Sequence, residues 1–296
     1  MKLFITAVIR VVTICCLLTP VPLFAAVNAT DIMKAMDDVY RKGFTTAVVK
    51  IQLSTCKYVF KNGNMNCREK PRVTVLEAAE KKWGADMRDA RSIALVLQPV
   101  ADKGVGMLTY QYYQTGREND VLLYLPALLK IRRVVSGSEG NEDGGSFFGT
   151  EFFVDDTQLK KIEQYTYKLI GEDVHDDRPV WIIESVPTPE RAKKTAYGKS
   201  HIWVDKERKL ILREDIFNPA GKLYRQRLNK DLAQVDNVWI ARLQTMNNLA
   251  TNRITALQYI SITYNKDVLD ELVTERSLTD FTFRERNLAI LRAYYK

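Results

Sequence analysis

The sequence predicts a mainly β protein of the α+β class: one large curved antiparallel sheet packed with two or three helices. Three observations predict it. After Gly43, apolar residues recur at every second position through most of the chain. The apolar runs are separated by short turn signals such as "TGREND", "VDKERK" and "NPAG", at hairpin intervals and not at the spacing of strand–helix units. Several runs are apolar at both parities, as where Ile93, Leu95 and Leu97 alternate with Ala94 and Val96. Roughly ten such strands curl strongly, and the inside of the curl then needs a cover.

The elements follow in order. Residues 1–26 read as a secretory signal peptide, with Lys2 ahead of an apolar run broken by Arg10, threonines, Pro20 and Pro22. "LFAAVNA" supplies small residues for cleavage near Ala25 or Ala26. A retained N-terminal anchor is the alternative. Cys15 and Cys16 lack the spacing of a lipoprotein acylation site, so a soluble periplasmic chain is expected. A helix is expected from Thr30 to about Arg41, capped by Thr30 or Asn28 and ended by Gly43. Its apolar stripe, which includes Met33 and Met36, serves either as core or as a plug in a ligand cavity.

In "CKYVFKNGNMNC" the Asn62-Gly63 pair signals a hairpin that brings Cys56 and Cys67 together. In an oxidising compartment they form a structural disulfide; two buried thiols are the other reading. Strands are expected in "AVVKIQLSTCKYVF", "RSIALVLQ", "GMLTYQYY", "VLLYLPAL", "PVWIIESV", "SHIWVDKE", "KLILREDIF", "LYRQRLNKDL", "NVWIARLQTM" and "ITALQYISITY". Three segments interrupt them: a short helix over 155–165, a turn of helix in "VLDELVTERSL", and a terminal helix in "RERNLAILRAYYK".

Composition narrows the function. With 46% hydrophobic residues and 10% aromatic, the chain has enough apolar surface for one large or two modest cores. Removing Lys2 and Arg10 with the leader leaves 42 basic against 36 acidic residues, a mild net charge of +6. That excess favours acidic surfaces without specifying one, and no nucleic-acid recognition motif accompanies it. The two histidines, His175 in "GEDVHDD" and His201 in "SHIWVD", have no nucleophile or metal ligand at a useful spacing. No reacting constellation is visible, so neither an enzyme nor a cofactor is expected. "EDVHDD" reads as a solvated turn or, less simply, a cation loop.

Two stretches remain. "QPVADKGVGMLTY" brackets the start of a strand with Pro99, Lys103, Gly104 and Gly106. "LLYLPALLKIRRVVSGSEGNEDGGSFFGTEF" passes from an apolar run to a basic knot, a Gly- and acid-rich loop, and two phenylalanines. With "GSFFGTEF" as the third motif, in this order and spacing, the sequence resembles the periplasmic outer-membrane lipoprotein-sorting superfamily of LolA/LolB-like proteins. The resemblance is closest to a branch whose members occur alongside RND-type exporters. It spans the first helix to about Leu278 and leaves 281–296 as a helical C-terminal extension beyond a domain of 27–280.

The resemblance implies an incomplete β-barrel wrapped around helices, with an apolar cavity for lipid or lipoprotein acyl chains. The lead expectation is therefore a periplasmic carrier, passing its ligand between membranes or to and from a transporter. Candidate cavity residues are Met33, Met36, Leu95, Leu97, Met107, Leu123, Leu125, Phe147 and Phe148. Lys130, Arg132 and Arg133 are expected to meet a headgroup or an acidic partner, or else to guard a strand edge. The partners that the resemblance implies are an RND-type inner-membrane transporter and an outer-membrane acceptor. A non-carrying accessory subunit, docking through residues 137–149, is the alternative; a lipid hydrolase is a third.

Overall fold

The structure, a computed structural model, describes residues 28–134 and 145–295. The leader 1–26, and residues 137–144 of the expected docking loop, lie outside the described residues. Helix α1 (Ala29–Gly43) opens the fold. Asn28 is its cap, accepting the Thr30 N–H at 2.8 Å, and Asp31 and Arg41/Lys42 sit at the ends the helix dipole favours.

The next seven strands are β1 (Thr46–Lys61), β2 (Asn64–Cys67), β3 (Arg72–Trp83), β4 (Asp89–Gln98), β5 (Gly106–Gln111), β6 (Asp120–Leu125) and β7 (Lys130–Arg133). After an irregular stretch come β8 (Tyr165–His175) and β9 (Arg178–Pro187), then a single helical turn, α2 (Pro189–Ala192). The series closes with β10 (Lys199–Asp205), β11 (Ile211–Phe217), β12 (Leu223–Val235), β13 (Val238–Asn248) and β14 (Arg253–Tyr264). A 3-10 turn at Asp270–Val273, α3 (Arg276–Thr279) and α4 (Phe281–Arg292) end the chain.

Thirteen of the strands form one antiparallel path, β7-β6-β5-β4-β3-β1-β14-β13-β12-β11-β10-β9-β8, and β2 extends β1 as a hairpin. Nearest neighbours in sequence pair along each half, and β1 joins the halves by pairing with β14. The ends of the path, β7 and β8, do not pair with each other. The sheet is thus curved and open, not closed into a barrel.

The two parities expected from β4 are both used. On one face, here called inner, Val96, Met107, Leu53, Leu76, Met246, Leu257 and Ile216 form a continuous core. Registers Glu214↔Arg227↔Met246↔Thr255↔Thr55 and Ile202↔Glu214 carry that face across the sheet to β10. There α1 covers it, with Ile32 and Met33 packed on Ile183, Ile202 and Val204. On the outer face, Val48, Ala79, Ile93, Leu95 and Leu108 are buried beneath Leu272, Leu278, Leu288 and Leu291. The C-terminal helices therefore pack against the side of the sheet opposite α1. Arg292 secures α4 through Glu77 of β3, whose carboxylate it grips with two guanidinium nitrogens.

Cys56 and Cys67 are bonded across the β1–β2 hairpin with a Cα–Cα distance of 5.7 Å. They are diagonal to one another, since Cys67 pairs with Tyr58. The Asn62-Gly63 turn has both residues at positive φ (51° and 77°), as a two-residue hairpin of this kind requires.

The structure corrects the sequence reading in two places. Residues 155–165 are not a helix but two 3-10 turns, Val154–Thr157 and Ile162–Gln164, separated by extended chain. The stretch between is tethered in several directions: Leu159 N–H donates to Gln111, Lys160 to Glu214, and Lys161 to two backbone carbonyls. Those tethers outweigh helix propensity. "GEDVHDD" is mostly strand, since β8 runs through His175 and the turn is confined to Asp176 and Asp177. The "KIRR" run pairs with β6 as the edge strand β7, in keeping with the strand-edge reading of its charges.

Candidate ligand-binding site

Where the sheet fails to close, a cleft of about 450 Å³ separates its two edges. Arg133 and Val134 line it from the β7 side, Tyr165 from β8, and residues 158–161 cross between them. Five cations face this slot: Arg133, Lys160, Lys161, Arg191 and Lys194. Four have carboxylate partners, Asp120, Glu214, Asp155 and Glu118 respectively. Lys161 differs. It is buried, its ammonium donates among the described residues only to the carbonyls of Gln114 and Arg117, and burial pulls its pKa below the ordinary lysine value. In the same slot the Gln158 carbonyl accepts from Asn119 at 2.5 Å, while the buried Gln158 amide nitrogen has no partner among the described residues. A cation without a carboxylate partner and an unused N–H donor, both lining one slot among the described residues, suit an anionic oxygen.

Behind the slot lies the inner face, covered by residues 145–157. Phe147, Phe152 and Val154 of this cover are buried against the sheet core. Its own backbone hydrogen bonds are local: Phe147 N–H to Phe152 O, Thr150 N–H to Phe147 O, and Val154 N–H to Gly145 O. The cover pairs with no strand of the sheet. Polar pins hold it instead. Glu151 accepts from Arg253 (2.6 Å) and Asn248 (3.0 Å), and its N–H donates to Thr255 Oγ1 (2.9 Å).

The main pin is Asp156. Its side chain is 2% exposed and accepts the Phe153 N–H and the Tyr197 hydroxyl, each at 2.7 Å. Arg227 stands 3.3 Å and Arg225 3.6 Å from its oxygens, and Arg225 lies over the Phe153 ring at 3.8 Å. Glu214 continues the cluster toward the slot, 2.6 Å from Lys160. Burial alone would raise its carboxyl. The charges of Lys160 and Arg227, with hydrogen bonds from Lys160 and Ser200, outweigh burial and hold it down to about 2.

That depression makes stability pH-dependent. Glu214's contribution is fully present above its ordinary 4.5 and is lost as pH falls through about 2. Denaturant midpoints measured from pH 7 to pH 2.5 are expected to fall more steeply for the native chain than for Glu214→Gln, with the divergence beginning below about pH 4.5. Equal slopes would remove Glu214 from this role.

The structure divides the expected cavity residues among four places. Met107, Leu123, Phe147 and Phe148 gather on the inner face, the two phenyl rings edge-to-face at 4.8 Å. Met33 and Met36 belong to the packing of α1. Leu95 is buried on the outer face, and with Leu97 lines a different groove under the C-terminal helices. Leu125 is half-buried at the end of β6. Of the basic knot, Lys130 and Arg132 are exposed on edge strand β7 and only Arg133 reaches the slot.

The ionic cluster was not anticipated. The signal for it was parity: Glu214 sits between Leu212 and Ile216 in β11, at positions an apolar face claims, with Arg225 and Arg227 opposite. His201 lies half-buried on β10, 3.3 Å from Glu184 and against Phe217. Among the described residues, no helix is long and apolar enough to cross a membrane.

A family model described as "Uncharacterized protein" matches residues 88–280, more than half of the chain. The chain belongs to that family. Its fold is similar to those of three solved structures, one of them a LolA superfamily protein. A DUF1329 family protein from Desulfovibrio piger is 22% identical with a TM-score of 0.72, over 84% of this chain and 97% of that one. A Vibrio parahaemolyticus domain assigned to outer membrane lipoprotein sorting is 18% identical with a TM-score of 0.72, over 85% and 98%. A LolA superfamily protein from Nitrosomonas europaea is 14% identical with a TM-score of 0.62, over 84% and 98%. No curated protein matches. In this fold the slot is the gap between the two free sheet edges, and 145–157 is the inner cover.

Proposed function

We propose that this protein is a periplasmic carrier that takes the apolar chain of a lipid or lipidated protein onto its inner face. The observation that carries the reading is the open edge. The basic slot between β7 and β8 leads to an apolar surface covered by a segment that shares no backbone ladder with the sheet. Lifting that cover breaks side-chain contacts and leaves every strand pair intact. Each CH₂ removed from water contributes about 0.8 kcal/mol, so an acyl chain of ordinary length offsets the exposed aromatic surface it replaces. The anionic headgroup then meets Lys161 and Gln158 in the slot. The leader 1–26 directs export, and delivery to a membrane or a transporter completes the cycle.

In the test, delipidated protein is titrated with a fluorescent anionic phospholipid. Saturable binding is expected, weakened about tenfold or more by Lys161→Gln and abolished by Met107→Trp, which fills the inner face. An absence of saturable binding sinks the reading.

One observation favours a second reading, an accessory subunit that docks onto an inner-membrane exporter. Val100 and Leu129, on adjacent hairpin turns, are 83% and 81% exposed. Such tips suit a protein partner. Co-purification with an exporter that is lost on Leu129→Asp, without lipid uptake, would select it.

A further inference from the structure

A second groove of about 350 Å³ lies on the outer face, between the ends of β4 and β6 and the C-terminal helices. Its size is within the usual range for small-molecule sites. Leu95, Leu97, Tyr124, Leu278 and Phe281 give it apolar walls, and Phe281 stands 58% exposed at its lip. Arg284 also lines it, although only 5% of that residue is exposed.

The charge balance inside the groove is uneven. Glu77 and Glu285 face it, but Arg292 grips both, and Tyr295 also donates to Glu77. Arg284 is left with the carbonyls of Ser277 and Leu278, at 3.3 and 3.1 Å, both through Nη1. Its nearest carboxylate oxygen, on Glu285, is 3.8 Å away. A guanidinium carries five N–H donors in a planar fork. Here a buried one keeps much of that fork unused beside an apolar trough. Gly104 borders the groove on a backbone at φ +84°, where glycine is favoured, and a Cβ there would be in ordinary contact, 3.5 Å from both Arg284 Nη2 and Pro126 Cγ.

We infer that this groove binds a single-chain anionic amphiphile, its headgroup oxygens on Arg284 and its chain along Leu95, Leu97, Tyr124 and Phe281. The site is separate from the inner face and does not depend on the carrier reading. Leu95 and Leu97 then serve this groove. Lys103, exposed at its margin, adds a second positive charge for the headgroup.

The test titrates the full chain with dodecanoate, dodecyl phosphate and dodecanol. Either anion is expected to bind about tenfold or more tightly than the alcohol, a charge-assisted hydrogen bond being worth that much. The tighter of the two anions names the headgroup. Arg284→Gln should remove the preference while leaving dodecanol binding in place. Leu97→Trp, which fills the groove, should abolish this component of the binding for all three ligands even if Arg284→Gln fails to fold. In a Met107→Trp background, where the inner face is filled and only the groove reports, the preference for the anions should persist. Equal affinity for acid and alcohol in that background, or loss of binding on Met107→Trp with none on Leu97→Trp, would overturn the assignment.

Discussion

Asp156→Ala is expected to destabilise the protein by about 3–5 kcal/mol, the cost of breaking a buried ion pair from one side. The aspartate has four partners to lose: the Phe153 N–H, the Tyr197 hydroxyl and two guanidinium groups. Arg225, with its side chain 1% exposed, would keep its charge in an interior that no longer compensates it. The Nε atoms of Arg225 and Arg227 already lack partners among the described residues, so the cluster has no slack to absorb the change. Adding Arg225→Met to Asp156→Ala should recover part of the loss, because a pair replaced by apolar groups of similar volume is close to neutral. Urea midpoints at unchanged slope measure both variants. A single-variant loss below about 0.5 kcal/mol, the range of ordinary surface changes, would mean the pins do not hold the cover.

Phe152→Ala is the second large effect, also about 3–5 kcal/mol. Phe152 is 2% exposed on the inner face, within the cluster that contains Leu53, Leu76, Met107 and Leu257. Its removal leaves a cavity between cover and sheet that the strands, fixed by their ladder, collapse around only partly. Phe148→Ala serves as the control. That ring is half-buried at the edge of the cluster, and its loss should cost clearly less in the same denaturation experiment. The order of the two effects, read by urea midpoint, tests whether the cover's grip centres on Phe152 as the geometry requires. If Phe148→Ala costs more, the grip lies elsewhere.

Much of the sheet was legible because its signals are local. The Asn62-Gly63 turn, the parity of β1, β4 and β5, and the stripe of α1 each read from a window of about ten residues. β3 was not foreseen. Its "LEAAEKKW" is made of helix formers, and it is a strand because β1 and β4 pair with it on both sides. β8 was hidden by the charges of an edge strand whose burial alternates weakly. The misread helix at 155–165 failed for a related reason, since its lysines and glutamine answer to partners far away in sequence.

The candidate site was legible only in its ingredients. The sequence pointed to Met107, Leu123, Phe147 and Arg133, and these do lie at the inner face and the slot. It could not separate Leu95 from Met107, because adjacent strands place them on opposite faces and only the packing of α3 and α4 reveals that the second face is covered. Lys161, Gln158 and Asp156 were invisible as a group. Polar residues join a site by convergence, and convergence is set by a topology in which β7 and β8 end as the free edges.

The measurement that bears most directly on the carrier account is native mass spectrometry of the gently purified protein, before and after delipidation. The account predicts added masses matching an acyl-chain ligand, their disappearance on delipidation, and uptake of one added phospholipid per chain that Met107→Trp prevents. A chain that shows only its own mass when purified, and takes up no added lipid, would contradict it.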